Sequence, residues 1–400
     1  MKLSTLMRRS LLILPAAMAS GVVLAAAVLS TTATAAPLQH QATWKVQPTA
    51  QASALNSELA SVSCARGSTC VAVGNVIARG GNAKPFSEVR SGRQWRITPM
   101  PASAGDFSDL KSVSCPSLRW CVAVGISARA NQTFGLAEIW NGARWTLSKV
   151  RQPAGQTHGG LLAVSCTAPD SCVAAGGTAR RNGVVKVLTE WWNGTSWRIL
   201  ATPQPPSSKA YSAFNAISCT SSRACMAVGD SETAPGTDPL AERWDGKTWH
   251  IQRPPHRKGF TSADLTGVAC TSPTACTAVG TSSGPDKFKT LALRWNGTRW
   301  GFQSIPTPSG SAPGEVVHAI SCPSAASCTA VGTAFSGNRH VVFAETWNGR
   351  RWTLQPIPRP ARASGPALTG VSCTQAACTA VGNFQGASAN VRTWAAVRSR

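Results

Sequence analysis

Fourteen cysteines fall into seven pairs, Cys64 and Cys70, Cys115 and Cys121, Cys166 and Cys172, Cys219 and Cys225, Cys270 and Cys276, Cys322 and Cys328, and Cys373 and Cys378. Successive pairs begin 51, 51, 53, 51, 52 and 51 residues apart. A period of that length admits few folds, because each unit is one supersecondary motif that buries its apolar face only by stacking on its neighbours. Each unit reads L-x-x-V-S-C, a short gap, C-x-A-V-G, a variable stretch, L-A-E-x-W-N-G-x-x-W and a proline-rich stretch. Four strand-like runs per unit describe the blade of a propeller. The expectation is an all-β, seven-bladed β-propeller of four-stranded antiparallel blades, with one disulfide in each.

Strand a of a blade is expected to end at the first cysteine, and strand b to be the C-x-A-V-G run, as at Cys121 to Gly125. Strand c runs into Trp140-Asn141-Gly142, where Asn-Gly tolerates the positive φ that a tight hairpin demands. Strand d begins at the second tryptophan. Pro99, Pro153, Pro203, Pro254 and Pro306 then end it, since proline cannot donate to a ladder.

The tryptophans set the topology. The first repeat position reads Arg90, Trp140, Trp192, Trp244, Trp295, Trp347 and Trp394, and the second reads Trp95, Trp145, Trp197, Trp249, Trp300 and Trp352. The chain ends before a seventh can appear at the second position. Trp44, in Ala42-Thr43-Trp44-Lys45-Val46, matches the context of Trp145 and is expected to supply the outer strand of the last blade. That arrangement closes the ring and removes the exposed sheet edges.

Residues 1–35 run from Lys2, Arg8 and Arg9 through an Ala- and Leu-rich stretch to Ala33-Thr34-Ala35, the order of a secretory signal. Residues 36–400 are then the propeller. An even cysteine count in an exported chain points to disulfides. Zinc would need four ligands, and the six histidines keep no fixed offset from the pairs. No cofactor is implied.

Glu88, Glu138, Glu190, Glu242 and Glu345 share one strand-c position, so the architecture places them, paired with nearby donors or solvated. Trp120 and Trp191 stand outside the repeat and are candidates for exposed contacts. Fold analogy puts ligands on the face made by the d-to-a and b-to-c connections. There the candidates are Tyr211, the cluster Arg253, His256, Arg257 and Lys258, and the acidic group Asp230, Glu232 and Asp238, which could suit a hard cation such as Ca²⁺. The chain carries a net charge of +23. Such a balance favours polyanions, and Arg144, Arg299 and Arg351 in the c-to-d hairpins are the candidates to meet them.

With this repeat the chain resembles the exported propeller proteins of actinobacteria, a likeness that covers residues 36–400 and implies a fold but no activity. Trp244-Asp245-Gly246-Lys247-Thr248-Trp249 is similar to the end of the Asp-box hairpins of sialidase-type propellers, although most blades here carry Asn for Asp and lack the preceding Ser. That second likeness implies an arginine triad, a tyrosine nucleophile and an acid, and Tyr211 is the one tyrosine in the chain. Three roles fit the sequence. They are an extracellular binding scaffold for anionic or carbohydrate polymers, a propeller that docks an extracellular protein, and a polysaccharide hydrolase or lyase acting at the channel mouth.

Overall fold

The computed structural model describes residues 43–399 apart from 53–55, 67, 78–80, 102–104, 182, 207–209, 286, 309–311 and 337–338. The expected signal segment lies outside the described residues. What is described forms seven four-stranded antiparallel sheets. Blade 2 shows the plan: strand a is Phe107–Ser117, b is Trp120–Arg129, c is Gln132–Trp140 and d is Trp145–Ser148. Blades 1, 3, 4, 5 and 6 span 56–97, 158–199, 212–252, 262–302 and 312–356. Blade 7 takes Ser364–Cys373, Ala377–Gln385 and Val391–Ser399 as strands a to c, and Lys45–Pro48 as strand d. Lys45 pairs with Val397 and Pro48 with Trp394, so the N-terminal strand closes the ring as Trp44 foretold. Each strand a touches those of the two flanking blades, the last touching the first.

All seven disulfides form, with Cα–Cα distances of 3.9 to 4.1 Å. In most blades strand a does not stop at its cysteine. In blade 3 Cys166 pairs with Cys172 inside the ladder, and Ala168 still pairs with Ser171 beyond it. The bridge therefore staples two opposed strand positions.

The core lies between blades rather than within them. Val122, Val124 and Ala137 of blade 2 pack with Leu161, Val164, Cys172, Leu188, Trp192 and Trp197 of blade 3, and six more such clusters complete the set. Strand b is buried on both faces for this reason, which is why it reads as an uninterrupted apolar run. Its terminal glycine answers a steric demand. Strand a bulges at Lys111, and a Cβ on Gly125 would collide with the carbonyl oxygen of Asp109.

Two rings of hydrogen bonds tie the blades together. Towards the centre, the serine of V-S-C accepts the backbone N–H of the next blade's first cysteine: Ser63 from Cys115, Ser114 from Cys166, Ser165 from Cys219, Ser218 from Cys270, Ser321 from Cys373 and Ser372 from Cys64, at 2.9–3.0 Å. Blade 5 carries Ala269 at this position and lacks the latch. Towards the rim, four of the seven outer tryptophans donate to the neighbouring blade, Trp95 to Gln47, Trp145 to Thr98, Trp197 to Ser148 and Trp352 to Gln303, while the indole N–H groups of Trp44, Trp249 and Trp300 meet no acceptor among the described residues.

The register corrects one assignment. Cys121 faces Trp140 across strands b and c, but Cys378 faces Arg398, while Trp394 faces Gly382. The seventh member of the first position is therefore Arg398, not Trp394. Blades 1 and 7, which meet at the closure, thus both carry arginine there. Arg90 donates to Thr379 of blade 7 at 2.9 Å, and Arg398 donates to Gln355 of blade 6.

Candidate binding surfaces

The a–b hairpins of all seven blades and the c–d hairpins of blades 1 to 6 share one face of the ring. Where both are present they touch: the c–d glycine Gly142 lies against Arg119 of the a–b turn, and Gly246 against Arg223. The Trp-Asn-Gly turn is rigid for a local reason. Asn141 Oδ1 accepts the N–H groups of Ala143 and Arg144 at 3.0 and 2.9 Å, and Gly142 takes φ 92°. Asp245 builds the same turn with Lys247 and Thr248, so aspartate and asparagine are interchangeable at this place. These contacts, with His250 at 2.7 Å, hold its carboxyl well below the usual range.

From those turns Arg93, Arg144, Lys247, Arg299, Arg350 and Arg351 project exposed, and Arg119 and Arg223 join them from the a–b turns. Among the described residues the exposed acids on these hairpins are Asp170 and Asp245, the latter occupied by His250.

The opposite face is made by the loops. Asp238, Arg253 and His256 line one cavity of about 390 Å³ walled by Pro205, Pro206, Pro239 and Pro254. His256 stands 3.9 Å from Asp238. Arg257 instead lies over the rings of Phe260 and Phe302, and Lys258 is exposed. Tyr211 precedes strand a of blade 4, where its carbonyl accepts the N–H of Glu232 at 2.8 Å. Asp230 accepts from Asn215 at 2.9 Å, and burial raises both Asp230 and Tyr211. Asp264, on strand a of blade 5, is pushed up to about 6 by burial and by the charge of Asp230. Among the described residues no three His, Cys, Asp or Glu side chains converge as a metal site. Arg144, Arg299 and Arg351 belong to the hairpin face, across the ring from this group.

The strand-c glutamates are not solvated. Glu88, Glu138, Glu190, Glu242 and Glu345 are completely buried. Glu88 accepts the N–H of Ala50 and Glu190 that of Arg151, each the sixth residue after the outer tryptophan of the preceding blade. In front of Glu138 and Glu242 that residue is Pro101 or Pro203, which has no N–H, and both oxygens of each carboxyl lack a hydrogen-bond partner. Burial pushes both up to about 8, so they stand protonated at neutral pH. Leu147 lies directly opposite Glu138 on strand d, and Ile97 directly opposite Glu88. Trp120 and Trp191 are half-buried against the inter-blade clusters rather than free contacts, and Arg198 lies over the Trp191 ring.

No protein-family model matches the chain, and no curated protein matches it in sequence. Solved structures match over most of its length. An ulvan lyase of polysaccharide lyase family 25, bound to -[GlcA(1-4)Rha3S]-, superposes with a TM-score of 0.54 at 8% identity, covering 86% of this chain and 95% of its own. The sialidase of Trypanosoma rangeli gives 0.49 at 10% identity over 89% of this chain and 59% of its own. The six-bladed fucose-recognising lectin of Aleuria aurantia gives 0.45 at 12% over 72% and 91%. Identity this low speaks for the fold alone. The chain belongs to the class of seven-bladed β-propellers. Within that class it carries a disulfide in the first hairpin of every blade and a cationic hairpin face.

Proposed function

We propose that the protein is an exported, non-catalytic binding propeller that holds anionic or carbohydrate polymers of the cell envelope against its hairpin face. The observation that carries this role is the set of exposed basic side chains, Arg93, Arg119, Arg144, Arg223, Lys247, Arg299, Arg350 and Arg351, mounted on rigid turns around one face. A polymer laid across that face meets several cations at once and releases a counterion at each, so many weak contacts add to useful affinity. Seven disulfides fit an oxidising compartment, and no described helix is long and apolar enough to cross a membrane. The test is retention of the purified protein on cell-wall polymer, DNA and neutral polysaccharide across a salt gradient. Steep loss of binding with salt on the anionic supports is expected. Equal retention on the neutral support, or none on any, would overturn the proposal.

One observation favours an enzyme at the channel mouth as a second role. Acid and base work needs two carboxyls held in different states. Burial pushes Asp264 up to about 6, helped by the charge of Asp230, whose own carboxyl burial also raises, and burial with that same charge raises Tyr211 too. If that role is real, Asp264→Asn abolishes cleavage of an acidic polysaccharide while leaving hairpin-face retention unchanged.

A further inference from the structure

On the loop face the ladder of blade 7 breaks open. Ser364 pairs with Gln385, but the register shifts before Ala367, and Gly365 in between sits at φ 55°. A cavity of about 700 Å³ occupies the opening. Its walls come from three blades: Arg339 and His340 from strand c of blade 6, Arg359 from the connection to blade 7, Phe384 and Gln385 from strand b of blade 7, and Glu58 from strand a of blade 1.

The lining has a definite chemistry. Arg339 and Arg359 are exposed, and neither meets a carboxylate within ion-pair distance among the described residues. A guanidinium presents a planar N–H fork that matches a carboxylate better than a point charge does, and two of them line this cavity. The His340 ring meets Phe335 edge-on at 4.6 Å, and half-buried Phe384 lines the same cavity. Flat apolar surfaces of that kind suit the C–H face of a sugar ring. Glu58 and Gln385 add hydrogen-bonding groups that hydroxyls can use. Asn383, at the floor, is already engaged with the Leu59 backbone and holds the floor in place. The volume accommodates one or two sugar rings within the usual range for small-molecule sites.

We propose that this cavity is a saccharide site selective for a carboxylate-bearing monosaccharide unit, with Arg339 and Arg359 clamping the carboxylate. It lies on the face opposite the basic hairpins and stands or falls independently of them.

Calorimetric titration of the full chain with D-glucuronate, D-glucose, acetate and inorganic phosphate at low salt provides the test. Saturable glucuronate binding is expected, at least tenfold tighter than glucose, acetate or phosphate. The double variant Arg339→Gln/Arg359→Gln should weaken it at least tenfold, while Arg144→Gln/Arg299→Gln/Arg351→Gln leaves it unchanged. Glucose or acetate binding as tightly as glucuronate, a double variant that binds like the parent, or no saturable binding would each overturn the proposal. A thermal melt of the double variant that overlays the parent's excludes misfolding as the cause of any loss.

Discussion

The hydroxyl oxygen of Ser372 accepts the backbone N–H of Cys64 at 2.9 Å, joining the last blade to the first across 308 positions of sequence. Five equivalent bonds run around the ring, and the sixth gap is Ala269. An N–H stripped of its acceptor in a part-buried setting costs about 1–2 kcal/mol. Ser372→Ala should lower the denaturation midpoint by that amount with an unchanged m-value. Ala269→Ser should supply the missing acceptor to the next blade and raise it by about 0.5–1 kcal/mol. Equal midpoints for Ser372→Ala and the parent would show that closure does not depend on this latch.

Stability should fall as pH rises from about 4.5 to about 8, because Glu88, Glu138 and Glu242, all pushed up to about 8 by burial, keep their protons in the fold and lose them when unfolded. Their contribution is complete below the ordinary carboxyl range and gone once the folded carboxyl itself ionises near 8. At about 1.4 kcal/mol per pKa unit, the change at Glu138 is at most about 5 kcal/mol over that window. Glu138→Gln should flatten the melting-temperature profile between pH 5 and 9. A profile unaltered in Glu138→Gln would sink this account.

Closure also rests on Trp44, which packs against Leu368, Val371 and Trp394 although it stands more than three hundred residues away in sequence. Truncating a buried tryptophan costs about 3–5 kcal/mol. Trp44→Ala should therefore cost as much as Trp145→Ala in the middle of the chain, by chemical denaturation of each. A frayed terminus would give a loss below about 1 kcal/mol, in line with exposed positions elsewhere.

Each disulfide closes a loop so small that the chain-entropy model credits it with only about 2 kcal/mol. Replacing Cys121 and Cys115 together by serine should lower stability by that amount and leave the other six bridges formed, as thiol titration of the unfolded variant would show. Loss of the whole fold would mean that the bridge supports the packing of Cys121, which is completely buried.

Blade number, disulfide pairing and the circular permutation at Trp44 were legible because each is a periodic property, and periodicity survives variation at single positions. The serine latch was equally periodic, but its partner lies in another blade, and nothing local in V-S-C says which N–H the hydroxyl oxygen meets. The shift that puts Arg398 in the tryptophan position escaped because matching Trp to Trp overrode the ladder register, which depends on pairing with Cys378. The loop-face candidates scattered for a different reason. Connections that vary in length bring residues together only through the geometry of the ring, so Asp238, Arg253 and His256 converge while Arg257 turns away onto Phe302. The cavity at Arg339 and Arg359 carried no signal, being built from three blades around a break in the ladder.

The hairpin charges can be separated from mere composition by their salt dependence. If the face binds a polyanion, each guanidinium that meets a phosphate releases about one counterion, and the logarithm of affinity falls with the logarithm of salt in proportion to their number. Arg144→Gln/Arg299→Gln/Arg351→Gln should reduce that slope by about two to three for a duplex DNA ligand, close to one for each guanidinium removed. A control of equal charge change on the loop face, Arg129→Gln/Arg180→Gln/Arg181→Gln, should leave the slope within about half a unit of the parent, because residues off the footprint release no ions on binding. If both triple variants lower the slope alike, the protein attracts polyanions through its overall charge and the hairpin ring has no separate role. If only the hairpin variant does so, the turns built by Asn141, Asn296 and Asn348 are what position the working surface.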